Sequence, residues 1–224
     1  FAARDAGAAP QVTTIVGVNG VQFDGNEYYT GPAAPAWVTG NGPHTVEAWV
    51  YNPSIADEET VFAWGRRGGG DGSNCSFNHG ANAAYGAVGH WGGPDLGWDG
   101  NIVAGQWTHI AYSWNPSTMY QTVYKDGQPA ASEYLANPLA IWAVATDGKP
   151  LPFRVASQND DNGSATAGLR GSMTIAKISV YDYALDDAAI LQHYTSDAGT
   201  FGILDEDNDG MPTWYERQFD FLNP

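Results

Sequence analysis

Between residues 12 and 181 the chain never keeps one hydrophobic rhythm for long, because turn signals break it every few residues. The runs between those breaks are short and rich in β-branched and aromatic residues, which is the pattern of strands and not of long helices. Strands are expected at 12–18, 21–24, 45–51, 60–64, 84–91, 107–114, 119–125, 152–157 and 172–181. In the last of these, alternation places Thr174, Ala176, Ile178 and Val180 on one face and Met173, Ile175 and Lys177 on the other. Asn115-Pro116-Ser117-Thr118 and Asp126-Gly127 have the composition of turns, the second that of a tight hairpin. Residues 66–74 and 158–168 read as polar loops, the first without a packing residue. One helix is expected at 187–195, capped by Asp186, with Ala189, Ile190 and His193 on one stripe. The 28 glycines and 13 prolines, beside 9 Trp, 12 Tyr and 8 Phe, suit a turn-rich β protein better than a helical bundle. Many short strands without a βαβ rhythm predict an all-β fold: a two-sheet antiparallel jelly-roll sandwich with one short C-terminal helix.

The tail carries a second kind of signal. Asp205, Asp207, Asp209 and Glu216 stand at positions 1, 3, 5 and 12 of a twelve-residue segment, with Gly210 at position 6. A calcium loop needs that spacing, because the ion takes six to eight hard oxygens from a sharply turned chain. The Met211 carbonyl fits position 7, Thr213 can hold a water at position 9, and Glu216 can close the shell with two oxygens. Calcium is therefore the expected cofactor, and the loop is read as a structural clamp. The expected organisation is a linker or processed start at 1–11, the sandwich at 12–196 and the calcium-loop tail at 197–224.

Charge narrows the partners. Nine Lys+Arg against 25 Asp+Glu give a formal net charge of −16, a surface that repels nucleic acid and anionic membranes. No apolar run approaches the roughly 20 residues of a membrane span, so no membrane insertion is expected. The start, Phe1-Ala2-Ala3-Arg4-Asp5, has no apolar signal-peptide segment. Cys75 is the one cysteine, which rules out an intrachain disulfide; burial is the expectation for it.

The order of several segments resembles the laminin G-like jelly-roll domains of the concanavalin A-like lectin/glucanase superfamily. These segments are Val21-Gln22-Phe23-Asp24-Gly25, His44-Thr45-Val46-Glu47-Ala48-Trp49-Val50 and Val61-Phe62-Ala63-Trp64-Gly65. Gln106-Trp107-Thr108-His109-Ile110-Ala111, Val123-Tyr124-Lys125-Asp126-Gly127-Gln128 and residues 171–181 continue the series, which covers about 12–195. The tail resembles thrombospondin type 3 and dockerin-like calcium repeats. The resemblance implies a secreted, multi-module bacterial protein, extracellular or at the cell surface. It also implies a second calcium site near Asp24 and Asp182, although Ala176 and Lys177 stand where an acidic pair is frequent.

Chemistry is sparse by comparison. Glucanases of the superfamily carry Glu-x-Asp-x-Glu on one strand, and this chain lacks it. No Gly-x-Ser-x-Gly elbow occurs, and His44, His79, His90, His109 and His193 show no zinc spacing. The chain is therefore read as not an enzyme. Sugars need aromatic platforms with polar groups beside them. Trp91, Trp98, Tyr85 and Asn101 lie in or beside one glycine-rich stretch, and Arg66 and Asp71 lie in the loop before it. These six are the candidate ligand residues, for a polysaccharide, a cell-surface glycan or a protein partner. The expected function is a non-catalytic, calcium-stabilised carbohydrate-binding or adhesion module. The alternative is a structural or protein-interaction spacer, with a glycoside hydrolase or lyase behind it.

Overall fold

A computed structural model of the chain describes residues 2–3, 9–100, 102–166, 169–201 and 203–204. The described strands are, in chain order, β1 (Ala2–Ala3), β2 (Gln11–Ile15), β3 (Val18–Gln22), β4 (Tyr29–Ala33), β5 (His44–Tyr51) and β6 (Thr60–Gly65). They continue with β7 (Asn74–Asn78), β8 (Val88–Gly89), β9 (Trp107–Asn115), β10 (Tyr120–Lys125), β11 (Gln128–Tyr134), β12 (Pro152–Val155) and β13 (Thr174–Tyr181). Among the described residues a short 3-10 turn spans Ala36–Val38, and one helix, α1, spans Asp187–Phe201. The strands form two antiparallel sheets stacked as a sandwich, the first ordered β1-β4-β12-β6-β7-β8 and the second β11-β10-β9-β5-β13-β3-β2.

The core lies between the inner faces. Val46, Ala48 and Val50 of β5 and Ile110, Tyr112 and Trp114 of β9 meet Phe62 and Trp64 of β6, Cys75 and Phe77 of β7 and Phe153 of β12. These positions alternate along each strand, as the two-residue pleat requires. Cys75 is buried there, and burial pushes its thiol pKa up. The Trp64 indole N–H donates to the Val38 carbonyl at 2.8 Å, which satisfies a polar group that would be costly to bury alone. β10 and β11 are joined by Asp126 (φ 49°) and Gly127 (φ 77°), two left-handed residues of the kind a tight hairpin turn demands.

Local differences from the sequence reading have physical causes. The alternation expected along 172–181 breaks at a bulge between Ile175 and Lys177. The extra residue puts Ile175, Ile178 and Val180 all against the core, while Ala176 packs on the opposite face. The strand expected over 84–91 shrinks to Val88–Gly89, because Asn82 turns the chain just before it. Its Oδ1 accepts the Ala84 N–H at 2.9 Å. β7, β11 and β4 were not foreseen as strands; β7 begins at Asn74, the last residue of the expected loop.

The outer face of the second sheet is covered by α1. Asp186 caps the helix through the Ala189 N–H at 2.9 Å, as expected, but the helix continues through Phe201. Ile190, Tyr194, Asp197, Ala198 and Phe201 recur at helical spacing and face the sheet. Ile190 packs with Ala111 and Tyr124, and Ala198, Tyr194 and Phe201 with Trp49 and Trp107. Among the described residues no helix covers the outer face of the first sheet, and loops rise around it instead.

Candidate functional site

On that outer face the registered row Thr30, Arg154, Ala63, Ser76 and Gly89 crosses β4, β12, β6, β7 and β8. These side chains are small or polar, and one end of the row is filled. Arg154 donates to Thr30 Oγ1, to Asn159 Oδ1 at 2.8 Å and to the Gly163 carbonyl at 2.8 Å, so the 158–166 loop lies over it. The other end, above Ser76 and Gly89, opens into a cavity of about 360 Å³. Glu58, Asp71, Asn74, Gln158 and Asp95 line it, with Tyr85 and Trp91 as its aromatic walls and Arg67 beside them. A second cavity of about 380 Å³ lies between Trp91 and Arg67 on one side and Asp160, Asp161 and Asn162 on the other. Trp91 and Arg67 thus form a ridge with a cavity on each flank, the guanidinium carbon 4.7 Å from the indole centroid.

Trp91 is held in an unusual way. Its φ is 63°, in the left-handed region that bulky residues avoid, at a cost of roughly 1–3 kcal/mol. Asp95 secures the turn: its Oδ1 accepts the His90 N–H at 2.6 Å and its Oδ2 the Gly92 N–H at 3.4 Å, so one carboxylate brackets Trp91 from both sides. Gly92 also has a left-handed φ of 109°, and a Cβ there would stand 2.1 Å from Asp71 Oδ1. Only glycine lets the 66–74 loop press this closely on the Trp91 turn. The result is an indole 40% exposed at the rim of a polar cavity.

The charges are concentrated. Burial pushes the pKa of both Glu58 and Asp95 upward; Asp95 adds to the rise at Glu58, and Asp71 to that at Asp95, while Arg67 opposes both. Gln158 Nε2 donates to Glu58 Oε1 at 2.7 Å and to Thr60 Oγ1 at 3.0 Å. A carboxylate only accepts, so the amide nitrogen is fixed and its oxygen is left over. That Gln158 Oε1, and Oδ1 of Asn74, have no hydrogen-bond partner among the described residues.

The sequence candidates divide. Trp91, Tyr85 and Asp71 meet in the first cavity. Tyr85 is steadied by donating its hydroxyl to Asp57 Oδ2 at 2.9 Å. Trp98 is corrected: it is 2% exposed, packs by Phe77 and His79, and donates its indole N–H to the Gly86 carbonyl at 3.0 Å, so it is core. Arg66 does not line the first cavity; it stacks 3.7 Å over the exposed Trp142 ring and approaches Asp161 at 3.6 Å, behind the second one. Asn101 lies outside the described residues, as do Asp205, Asp207, Asp209, Met211, Thr213 and Glu216.

The pair Asp24 and Asp182 is also corrected. Asp24 follows β3 where Phe23 N–H meets the Met173 carbonyl, and Asp182 follows the far end of β13. Eight residues of strand separate them, roughly 25 Å, so they cannot share an ion. Asp24 instead accepts the Asn26 N–H at 2.9 Å in a local turn. Among the described residues no group of three or more His, Cys, Asp or Glu side chains is placed to hold a metal ion.

Glu58, Gln158 and Asp95 were missed. Glu58 and Glu59 are adjacent and so face opposite ways: Glu59 is buried and accepts from Asn52 at 2.7 Å, while Glu58 reaches the cavity. The signal was there in the doublet. Gln158 sits about 100 residues from Glu58 in sequence, and only the sheet pairing brings it in.

A two-sheet sandwich with an aromatic-edged polar cavity on one outer face has lectin-like jelly-roll architecture. The chain belongs to the concanavalin A-like lectin/glucanases superfamily, whose laminin G model matches residues 23–191. No curated protein matches it. Among solved structures it is similar to domain 4 of AbnA, a GH43 extracellular arabinanase from Geobacillus stearothermophilus in complex with arabinotriose. That likeness has a TM-score of 0.56 and 18% identity over 81% of this chain and 80% of that one. It is also similar to Trypanosoma rangeli sialidase in complex with 2,3-difluoro-KDN, at a TM-score of 0.53 and 17% identity over 84% of this chain and 29% of that one. The binding domain of Paraclostridial Mosquitocidal Protein 1 follows at 0.51 and 11%, over 84% of this chain and 46% of that one. At these identities the likeness is one of fold.

Proposed function

We propose that the chain is a non-catalytic carbohydrate-binding module that holds a glycan chain across the Trp91–Arg67 ridge, with sugar units in the cavities on either side. One observation carries this reading: a tryptophan kept exposed in a strained backbone, bracketed by Asp95, between two polar cavities. An indole face suits the C–H face of a sugar ring, and the carboxylates and amides around it suit the hydroxyl rim. The arabinotriose bound to the arabinanase domain of similar fold supports the class of ligand. The test is calorimetric titration and a glycan array with the intact chain. No binding to any polysaccharide, or binding indifferent to Trp91→Ala, would favour the spacer alternative.

A second reading has an observation behind it. Glu58 and Asp95 line one cleft and both are pushed up in pKa, which is how hydrolytic carboxylates are tuned. Against it, both Asp95 oxygens are engaged by backbone N–H groups of the Trp91 turn. Release of reducing ends from a bound polysaccharide, abolished by Glu58→Gln, would establish a glycosidase.

The proposal extends to the tail, on the donor spacing of residues 205–216 alone: the loop binds calcium and clamps the chain beyond α1, in an extracellular setting. Ile203 and Leu204 pack against the Trp49 and Trp107 cluster, so an ion bound just beyond them is linked to the fold. Chelation should lower the melting temperature and leave glycan affinity unchanged; the reverse result would move the calcium to the ligand site.

A further inference from the structure

Taking the glycan-binding reading as its basis, we infer that the first cavity selects a sugar bearing an ammonium group, and turns away acidic sugars. Among the described residues three carboxylates, those of Glu58, Asp71 and Asp95, line it, against one cation, Arg67. The cluster has independent support from beneath. Asn74 and Gln158 line the cavity and are 3% and 2% exposed, and each has a buried carbonyl oxygen with no hydrogen-bond partner among the described residues. Gln158 cannot relieve this by flipping its amide, because its nitrogen already donates to Glu58 and Thr60.

The hydroxyl donors at the cavity are already used. Ser76 Oγ donates to the Gly89 carbonyl at 3.0 Å and the Tyr85 hydroxyl to Asp57, so neither proton is free for a ligand. Arg67 is the charged donor, and it is stacked on Trp91. What decides is charge, with three carboxylates standing against that guanidinium. A uronic or sialic acid would add a carboxylate to three already present, an unfavourable juxtaposition in a partly desolvated site. An ammonium supplies three donors and a positive charge, and it gives the buried carboxylates of Glu58 and Asp95, which burial raises in pKa, a cation to face.

The carboxylates do not converge tightly enough to form a metal set among the described residues. A cation carried on a ring fits the space better than a bare ion. The aromatic walls, Trp91 and Tyr85, and a volume of about 360 Å³ also suit a ring better than the thin alkyl stem of a lysine.

The experiment titrates the intact chain with oligomers of glucosamine, of N-acetylglucosamine and of galacturonate, at a pH where the amine is protonated. The glucosamine oligomer should bind at least tenfold more tightly than its N-acetylated counterpart, and the galacturonate should not bind. The preference should shrink as salt is raised, and Glu58→Gln with Asp71→Asn should abolish it while retaining the fold by circular dichroism. Equal affinity for the two amino-sugar forms overturns the inference. So does tighter binding of galacturonate, or of a lysine homopeptide. In the equal-affinity case, a neutral glycan still lost on Trp91→Ala would leave the glycan reading standing. Loss of every sugar from the wild-type chain would remove both.

Discussion

The two outer faces of the sandwich solve opposite problems with similar residues. On the second sheet, Trp49, Tyr51 and Trp107 stand on β5 and β9 and are sealed by α1 and the residues after it. Several polar groups there are drawn into the seal. Trp49 donates to Asp197 at 3.2 Å, Tyr124 to Asp187 at 2.9 Å, and the Glu47 carboxylate meets His193 at 3.0 Å. On the first sheet the aromatics are kept at the rim, and the floor is Ser76, Gly89 and amides with acceptors left over. A tryptophan can therefore be a seal or a platform, and what decides is whether an element packs over it. The closed face should carry stability and little binding, and the open face the reverse.

The largest test of that division is Trp49→Ala. It empties a site bounded by Tyr194, His109 and Phe201, with ring centroids 5.7, 5.3 and 5.8 Å away. A loss of about 3–5 kcal/mol is expected in denaturant unfolding, with glycan affinity unchanged at temperatures where the variant is folded. A parallel loss of affinity in the folded protein would mean the faces are coupled.

Acid should attack the closed face next. Burial lowers the pKa of His109 from 6.5 to about 4, so its 4.0 Å approach to Glu47 is not an ion pair at neutral pH. An unfolded histidine takes up its proton near 6.5, whereas the folded one resists until about 4. Between those values the unfolded chain binds more protons, and stability falls as the pH is lowered. His109→Gln should flatten that slope by roughly 1.4 kcal/mol per pH unit at most. His79 and His90, at about 4, and His44, at about 3, act in the same direction, while raised carboxylates such as Glu47 oppose them in part. An unchanged slope in urea melts across pH 4–6.5 would contradict a buried neutral His109.

A smaller effect belongs to Asp197→Ala, which removes the acceptor of the Trp49 indole and the partner of Lys177 at 2.7 Å. The Lys177 end is solvent-exposed and contributes little. The orphaned indole N–H sets the expected loss at about 1 kcal/mol in thermal or chemical melts. A neutral result would show that water replaces the carboxylate and that the helix is held by its apolar stripe alone.

The sequence made the closed face easier to read than the open one, for reasons the residues themselves give. Strands β5 and β9 are long and rich in β-branched and aromatic residues, and the Asp186 cap announces the helix that covers them. Local propensity and tertiary packing agree there. The open face is assembled from pieces far apart in the chain: Glu58, the Trp91 turn and Gln158. Only the Glu58-Glu59 doublet carries a local signal, and nothing local marks the Trp91 turn or Gln158 apart from a solvated loop. Trp98 shows the limit most clearly. It shares the glycine-rich setting of Trp91, but it reaches the Gly86 carbonyl and the core, and nothing local to the two sequences tells the inward indole from the exposed one.

Trp91→Ala is expected to have the smallest effect on stability and a large one on binding, and it separates the faces most cleanly. The side chain is partly exposed and seals no cavity, so its lost contacts cost little. Alanine would inherit the same left-handed backbone, and the Asp95 bracket does not depend on the indole. The change in unfolding free energy should therefore stay within about 0.5 kcal/mol. Affinity for a glycan should fall by about tenfold or more, because the platform between the two cavities is removed, a loss of roughly 1.4 kcal/mol or greater. Trp91→Gly, which also relaxes the strained turn, should bind no better than the alanine variant while melting at a similar or higher temperature. If instead Trp91→Ala destabilised the chain as Trp49→Ala does, the exposed indole would be structural after all, and the open face would be only the less finished of two seals.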